Sequence, residues 1–228
     1  MSRQCSKRRR VANMAIEFER VGLGTELIPY MQAWDYQQNL HDAVAADEQT
    51  PRVLFLEHEA VYTAGKRTEP EDLPLDGTPV VDVDRGGKLT WHGPGQLIGY
   101  PIVKLKKISA IRLYVETLEE ALINVIDEIG IPTVQVKGRS GVWVPGVNGE
   151  QDRKIAAIGI RINRGVTMHG FALNCSNNLT AYDQIIPCGI TDAGVTTISQ
   201  ELGQTVSPND VVDRVQEELE RLLTPQVV

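Results

Sequence analysis

A chain of 228 residues with 42% hydrophobic and 23% charged side chains is long enough for one ordinary buried core, and its 20 glycines and 12 prolines exclude a collagen-like repeat and wholesale disorder. The net charge of −7 argues against nucleic-acid binding through a basic face, and no apolar run approaches the roughly eighteen residues that a membrane helix needs. Cys5, Cys175 and Cys188 form neither a disulfide framework nor a zinc-ligand spacing, which points to a reducing compartment.

The charge is unevenly spread. Five of the 23 basic residues (Arg3, Lys7, Arg8, Arg9 and Arg10) fall in the first ten positions without an acid, so the rest of the chain, holding all 30 acids, carries −12. The residues that follow lack the apolar run of a signal peptide. Residues 1–14 therefore read as a solvated tail, with Met14 an alternative start, ahead of a single domain over 15–228 in a cytoplasmic protein.

Residues 15–21 alternate as a strand, and 26–48 read as a helix with Thr25 as its N-cap and Pro29 in its first turn. Residues 52–57 (RVLFLE) form an apolar strand ending at His58, 70–79 a loop with three prolines, and 80–83 another strand. A strand over 97–104 precedes a helix over 111–129, which Gly130 closes, with short strands at 133–136 and 141–144. Residues 154–162 and 166–174 make a hairpin around Asn163-Arg164-Gly165. A three-residue loop places Ile162 opposite Val166, Ala156 opposite Ala172, and Lys154 opposite Asn174 at the sheet edge. Residues 208–223 close the chain as a helix capped by Ser207. The fold class expected is α/β (α+β), a mixed sheet flanked by helices.

The segment 85–96 (RGGKLTWHGPGQ) is the densest anomaly. Four glycines in twelve residues fit a tight hairpin, or a backbone that closes on a ligand and offers it amide donors. Arg85, Trp91 and His92 in the same stretch favour the second reading, and neither the P-loop nor the dinucleotide fingerprint is present. Cys188, between Pro187 and Gly189, sits on a bend open to an incoming acyl group, although a lone cysteine is also commonly a small buried hydrophobe. Attack needs the thiolate, and Lys154 is a candidate for stabilising it. Cys175 reads as structural, His41 as helix surface and His169 as a packed strand residue. The small residues Ala156, Ala157, Gly159, Gly170 and Ala172 fit either a slot for a thin apolar chain or the close approach of a helix.

Six segments taken together are similar to a known family: LEHEAVYTAG (56–65), RGGKLTWHGPGQ (85–96), GRSGVW (138–143), RKIAAIG (153–159), HGFALN (169–174) and PCGI (187–190). In this order, over residues 17–203, they resemble the lipoyl(octanoyl) transferases, with Glu59 where that family usually has proline and Trp91 where tyrosine or phenylalanine is common. The resemblance implies the fold of the biotin and lipoate protein ligase catalytic domain. It implies a ping-pong acyl transfer with Cys188 as nucleophile and Lys154 as the residue that lowers its pKa. Substrate contacts would come from Arg85, Gly86, Gly87, Lys88, Leu89, Thr90, Trp91 and His92, from Ala157, Ile158 and Gly159, and from Gly170, Phe171 and Ala172. The octanoyl group would arrive on the phosphopantetheine of acyl carrier protein, with no other cofactor. It would leave on a lysine of the lipoyl domains of 2-oxoacid dehydrogenases or of the glycine cleavage H protein.

An ATP-dependent lipoate or biotin protein ligase on the same fold is the rival reading, and it needs no cysteine. Acyl carriers and lipoyl domains are generally acidic, so an acidic body must dock them locally. Lys104, Lys106, Lys107 and Arg112 are the expected patch.

Overall fold

The computed structural model describes residues 16–74, 78–185 and 193–228. The basic tail and Cys188 lie outside them. The core is a mixed sheet in the order β1 (Glu17–Arg20), β2 (Arg52–Leu56), β6 (Gln96–Ile102), β10 (Val166–Asn174), β9 (Arg153–Asn163), β8 (Arg139–Val144) and β7 (Val134–Val136). Its β1–β2 pair is parallel, as is the pairing of the short β11 (Gly194–Val195) with β9, and the remaining pairs are antiparallel. Helices cover both faces. Val53 and Phe55 of β2 join the cluster under α2 (Ile111–Glu128) and α4 (Pro208–Leu223), while Leu54 and Leu56 join the one under α1 (Tyr30–Ala45). A strand buried on both sides must be apolar throughout, which is why RVLFL does not alternate.

Several local expectations hold. Ser207 caps α4 in a capping box with Asp210, with Pro208 in its first turn. Gly130 follows α2 with φ of 91°. The first helix starts later than expected: Pro29 is its N-cap and Thr25 Oγ1 instead donates to Gly22 O, because Ile28 is held in a bridge to His58. His41 is buried rather than on the helix surface, and its Nε2 donates to Asn163 O.

The hairpin register is one residue from that expected. Arg164 (φ 50°) and Gly165 (φ 80°) form a two-residue turn with both central residues left-handed, the type whose twist matches the flanking strands. Val166 therefore pairs with Asn163, Ala172 with Ala157 and Gly170 with Gly159. The small residues now face one another as direct cross-strand pairs, leaving a shallow trough instead of a filled surface. Lys154 is not at an edge, since β9 is paired there on both sides, to Trp143 of β8 and to Val195 of β11.

A second, three-stranded sheet, in the order β4 (Val80–Asp82), β3 (Val61–Ala64), β5 (Leu89–His92), forms its own cluster around Leu89 and Trp91. Residues 61–64 and 89–92, not assigned to strands from the sequence, thus form the wall that faces β9 and β10. The glycine-rich loop ties the two sheets together through Gly86 N to Ile160 O, 3.0 Å.

Pro101 shapes the remaining wall. It lies within β6, between β2 and β10, and has no N–H to donate. Its carbonyl accepts from the Thr167 hydroxyl, and the N–H of His169, opposite it by register, donates to Gln37 Oε1 of α1. Freed from the ladder, His169 takes a left-handed φ of 57°. Gly170 follows with its Cα against β6: an added Cβ would lie 2.1 Å from Gly99 O. Backbone cannot yield there, so Gly170→Ala is expected to cost at least about 1–3 kcal/mol. Thermal melts should show a loss of several degrees, and an unchanged midpoint would contradict this packing.

Candidate acyl-binding channel

A channel in three adjoining parts, linked by shared lining residues, starts between the two sheets and opens beside α2 and the β7–β8 turn. The inner slot is lined by Ala157, Gly159, Gly170 and Ala172 on one side and by Gly86, Gly87, Thr90 and His92 on the other, with Tyr30, Tyr100 and His169 at its end. Gly86, Gly87, Lys88, Ile158 and Gly159 are shared with a middle cleft that contains Lys154. Arg67, Gly138, Arg139 and Ser140 are in turn shared with an outer groove.

The alternation of β5 divides its expected contacts. Thr90 and His92 line the slot, whereas Leu89 and Trp91 turn into the small sheet's own cluster, where Trp91 packs edge-on against Tyr182. Arg85 is buried, and its guanidinium donates to Thr63 O and Oγ1, Gly86 O and Lys88 O. It thus fixes the loop's shape and brings a buried positive charge to the slot. Lys88 is ion-paired with Glu69 and Asp72. Ala157, Ile158, Gly159, Gly170, Phe171 and Ala172 all line the slot.

The slot's end is a stack of rings in which the expected contact His92 and the packed His169 are joined by Tyr30, His58 and Tyr100, which carried no functional signal in the sequence. His58 lies between Ile28 O (Nδ1, 2.8 Å) and the Tyr100 hydroxyl (Nε2, 2.7 Å). His92 Nδ1 bonds Gln96 Oε1 at 2.8 Å, and His169 Nε2 bonds Asp84 Oδ1 at 2.8 Å. Burial drives His58 down to about 4 and His92 and His169 to about 3, so all three are neutral at pH 7. Burial also raises Tyr30 to about 12. The slot is therefore lined by small and uncharged groups, apart from the engaged Arg85 and Lys88.

Lys154 is 7% exposed, with Nζ 4.6 Å from the centre of the Trp143 ring. Among the described residues no carboxylate forms an ion pair with it. Glu119 of α2 is the buried acid in its field: its Oε1 accepts from Gly141 N at 2.8 Å, and burial raises its pKa while Gly141 N–H and Lys154 draw it back. Trp143 and Glu119 carried no signal in the sequence beyond the GRSGVW segment itself. Cys175 is fully buried, and burial pushes its thiol up to about 12, which leaves it inert as a nucleophile. Of the expected patch after the channel loop, Lys104 pairs with Asp47 and Arg112 with Glu116, Lys106 Nζ donates to the Pro225 carbonyl, and Lys107 is exposed with no carboxylate partner among the described residues. Among the described residues no helix is long and apolar enough to cross a membrane.

Comparison with known proteins agrees with this architecture. The family model of the lipoyl protein ligase A/B catalytic domain matches residues 29–220. An octanoyltransferase of Paenarthrobacter aurescens is 59% identical over 208 residues, covering 91% of this chain and 94% of that protein. One of Leifsonia xyli is 54% identical over 215 residues, covering 92% and 96%. Among solved structures, a bi-partite lipoate protein ligase of Thermoplasma acidophilum superposes with a TM-score of 0.66 at 14% identity, covering 92% of this chain and 84% of that one. A lipoate-protein ligase A bound with ATP gives 0.60 at 14% identity, covering 91% and 85%. At such identity these two speak for the fold, whereas the octanoyltransferases match nearly end to end. The chain belongs to the lipoyl protein ligase A/B catalytic domain family and, within it, to the octanoyltransferases.

Proposed function

We propose that the protein moves an octanoyl group from acyl carrier protein to a lysine of a lipoyl domain through a thioester on Cys188, with no cofactor beyond the donor's own phosphopantetheine. The observation that carries the reading is Lys154: a buried ammonium over Trp143, without a carboxylate partner among the described residues, where a small-residue slot meets an open cleft. Near-full-length identity to octanoyltransferases supports the acyl group. The PCGI segment puts the thiol a short stretch before β11, whose Val195 pairs with Lys154.

The chemistry balances in two steps. The Cys188 thiolate attacks the donor thioester carbonyl, the new C–S bond forms, the bond to pantetheine breaks, and the departing thiolate takes a proton. The amine of the acceptor lysine then attacks the Cys188 thioester, forms the amide, loses a proton and releases the thiolate. Lys154 stabilises the thiolate at the start and end of this cycle and is placed to pass the proton between leaving group and amine. The acyl chain occupies the slot between Ala157, Gly159, Gly170 and Ala172.

Incubation with octanoyl-acyl carrier protein in the absence of ATP is expected to leave one octanoyl group, labile to hydroxylamine, on the peptide containing Cys188. Cys188→Ala should lack the adduct and lose transfer by at least about 10³-fold. No adduct on the wild type, an adduct surviving in Cys188→Ala, or transfer that requires ATP and free acid would overturn the proposal. The last result would assign the chain to the ligase reaction.

A further inference from the structure

The outer groove contains two exposed cations that no carboxylate among the described residues neutralises. Acids outnumber bases 30 to 23 in this chain, and ten described Lys and Arg side chains are ion-paired to carboxylates, from Arg20 and Arg52 to Arg214 and Arg221. Arg67 and Lys137 are exposed and neither has a carboxylate partner among the described residues; Lys66, Lys106 and Lys107 also lack one but do not line this groove, and the groove's own acids are engaged, Glu116 by Arg112 and Glu119 by Gly141 N. Both line one groove, Arg67 from the loop after β3 and Lys137 from the turn between β7 and β8. The Arg67 wall is held in place by Arg67 N to Gly87 O, 3.0 Å, a bond to the loop that also lines the slot.

Along the channel the chemistry changes in a fixed order. Arg67 and Lys137 stand at the outside, the Lys154 ammonium in the middle, and the uncharged trough of Ala157, Gly159, Gly170 and Ala172 inside. An acylated pantetheine arm has the same order: an anionic phosphodiester at its root, a thioester at its end, and an apolar chain beyond. Seating the chain in the trough puts the thioester near Lys154 and directs the arm outward past Arg67 and Lys137. A guanidinium is suited to bridging two phosphate oxygens, and an ammonium lining the same groove adds a second point charge.

We infer that Arg67 and Lys137 form a phosphate clamp that receives the phosphodiester of the carrier's pantetheine arm. The carrier therefore docks at the β7–β8 side of the channel and not on the Lys104–Lys107 stretch. This inference rests on the acyl-transfer reading above. Long-range attraction of an acidic carrier to an acidic body is unfavourable, so docking depends on local cations, and Arg67 and Lys137 are the unneutralised pair that adjoins the Lys154 cleft.

The test uses two small donors, octanoyl-phosphopantetheine and octanoyl-pantetheine, which differ only in the phosphate, with a lipoyl domain as acceptor. The wild type is expected to favour the phosphorylated donor by about tenfold or more in kcat/KM at low salt, with the preference shrinking as salt rises. In the Arg67→Ala, Lys137→Ala double variant the advantage of the phosphorylated donor should disappear, so that the two donors are used with equal kcat/KM. Equal use of both donors by the wild type, or an equal loss on both in the variant, overturns the clamp while leaving acyl transfer intact. Failure of the wild type to take the octanoyl group from octanoyl-acyl carrier protein overturns the acyl-transfer reading and the clamp with it.

Discussion

Replacing Lys154 by methionine is expected to lower the transfer rate by at least about 100-fold while leaving the fold in place. Methionine fills a similar volume and keeps the stem's packing on Trp143, so the change removes the charge and little else. At 7% exposure, water screens Lys154 poorly, and the ammonium would act on a nearby thiolate at close to full strength. The readout that separates activation from mere structure is the pH dependence of Cys188 alkylation. Without the ammonium the profile should move upward toward the ordinary cysteine value of about 8.5. Lys154→Arg, which keeps the charge in a larger group, should keep the low profile while losing part of the transfer rate. A profile for Lys154→Met that superposes on the wild type would remove lysine as the activator.

Stability should fall steeply as pH drops below the histidine range. His58, His92 and His169 are held to about 4, 3 and 3 by burial, against about 6.5 in the unfolded chain. Because their folded values are depressed, the unfolded state takes up protons first. The stability they secure is complete above about pH 6.5 and drains away as pH falls toward the folded values. Each proton bound only by the unfolded chain costs about 1.4 kcal/mol per pH unit, so three cost about 4 kcal/mol per unit between pH 6 and 5. Against a typical total of about 5–15 kcal/mol, that is enough to unfold much of the protein near pH 5. The shifted carboxylates of Glu128, Glu201 and Glu218 release their stabilisation only lower, below the ordinary carboxylate range. Urea titrations at pH 7, 6 and 5 check the slope, and His169→Asn should remove about a third of it. A flat profile from pH 7 to 5 would mean that the ring stack accepts protons while folded.

What could be read in advance followed how local the controlling physics was. The Ser207 N-cap, the helical spacing of α2 and the apolar run of β2 are short-range patterns, and each appears where expected. The hairpin was recognisable but its register was not. Arginine is an unusual first residue for a turn that needs two left-handed positions, and a one-residue choice there decides every partner along β9. The small sheet was missed because β3 and β5 are four residues each and sit among glycines, so they become strands only by pairing with each other. His41 was misjudged because its helix position gives no hint that the Asn163 carbonyl lies beside it.

The sequence by itself determined the layered α/β class, the positions of most strands and helices, and through six ordered segments the family and its set of candidate residues. Tertiary structure alone decided how those residues are used. It paired Ala157 with Ala172 and Gly159 with Gly170 to open a trough, divided β5 so that Thr90 and His92 face it, and placed Lys154 over Trp143 in mid-sheet. It also turned His169 inward where Pro101 interrupts the ladder, and brought Arg67 and Lys137 to the lining of one groove. Each of these depends on contacts between segments distant in the chain, set by register, burial and charge pairing that no local window of sequence contains.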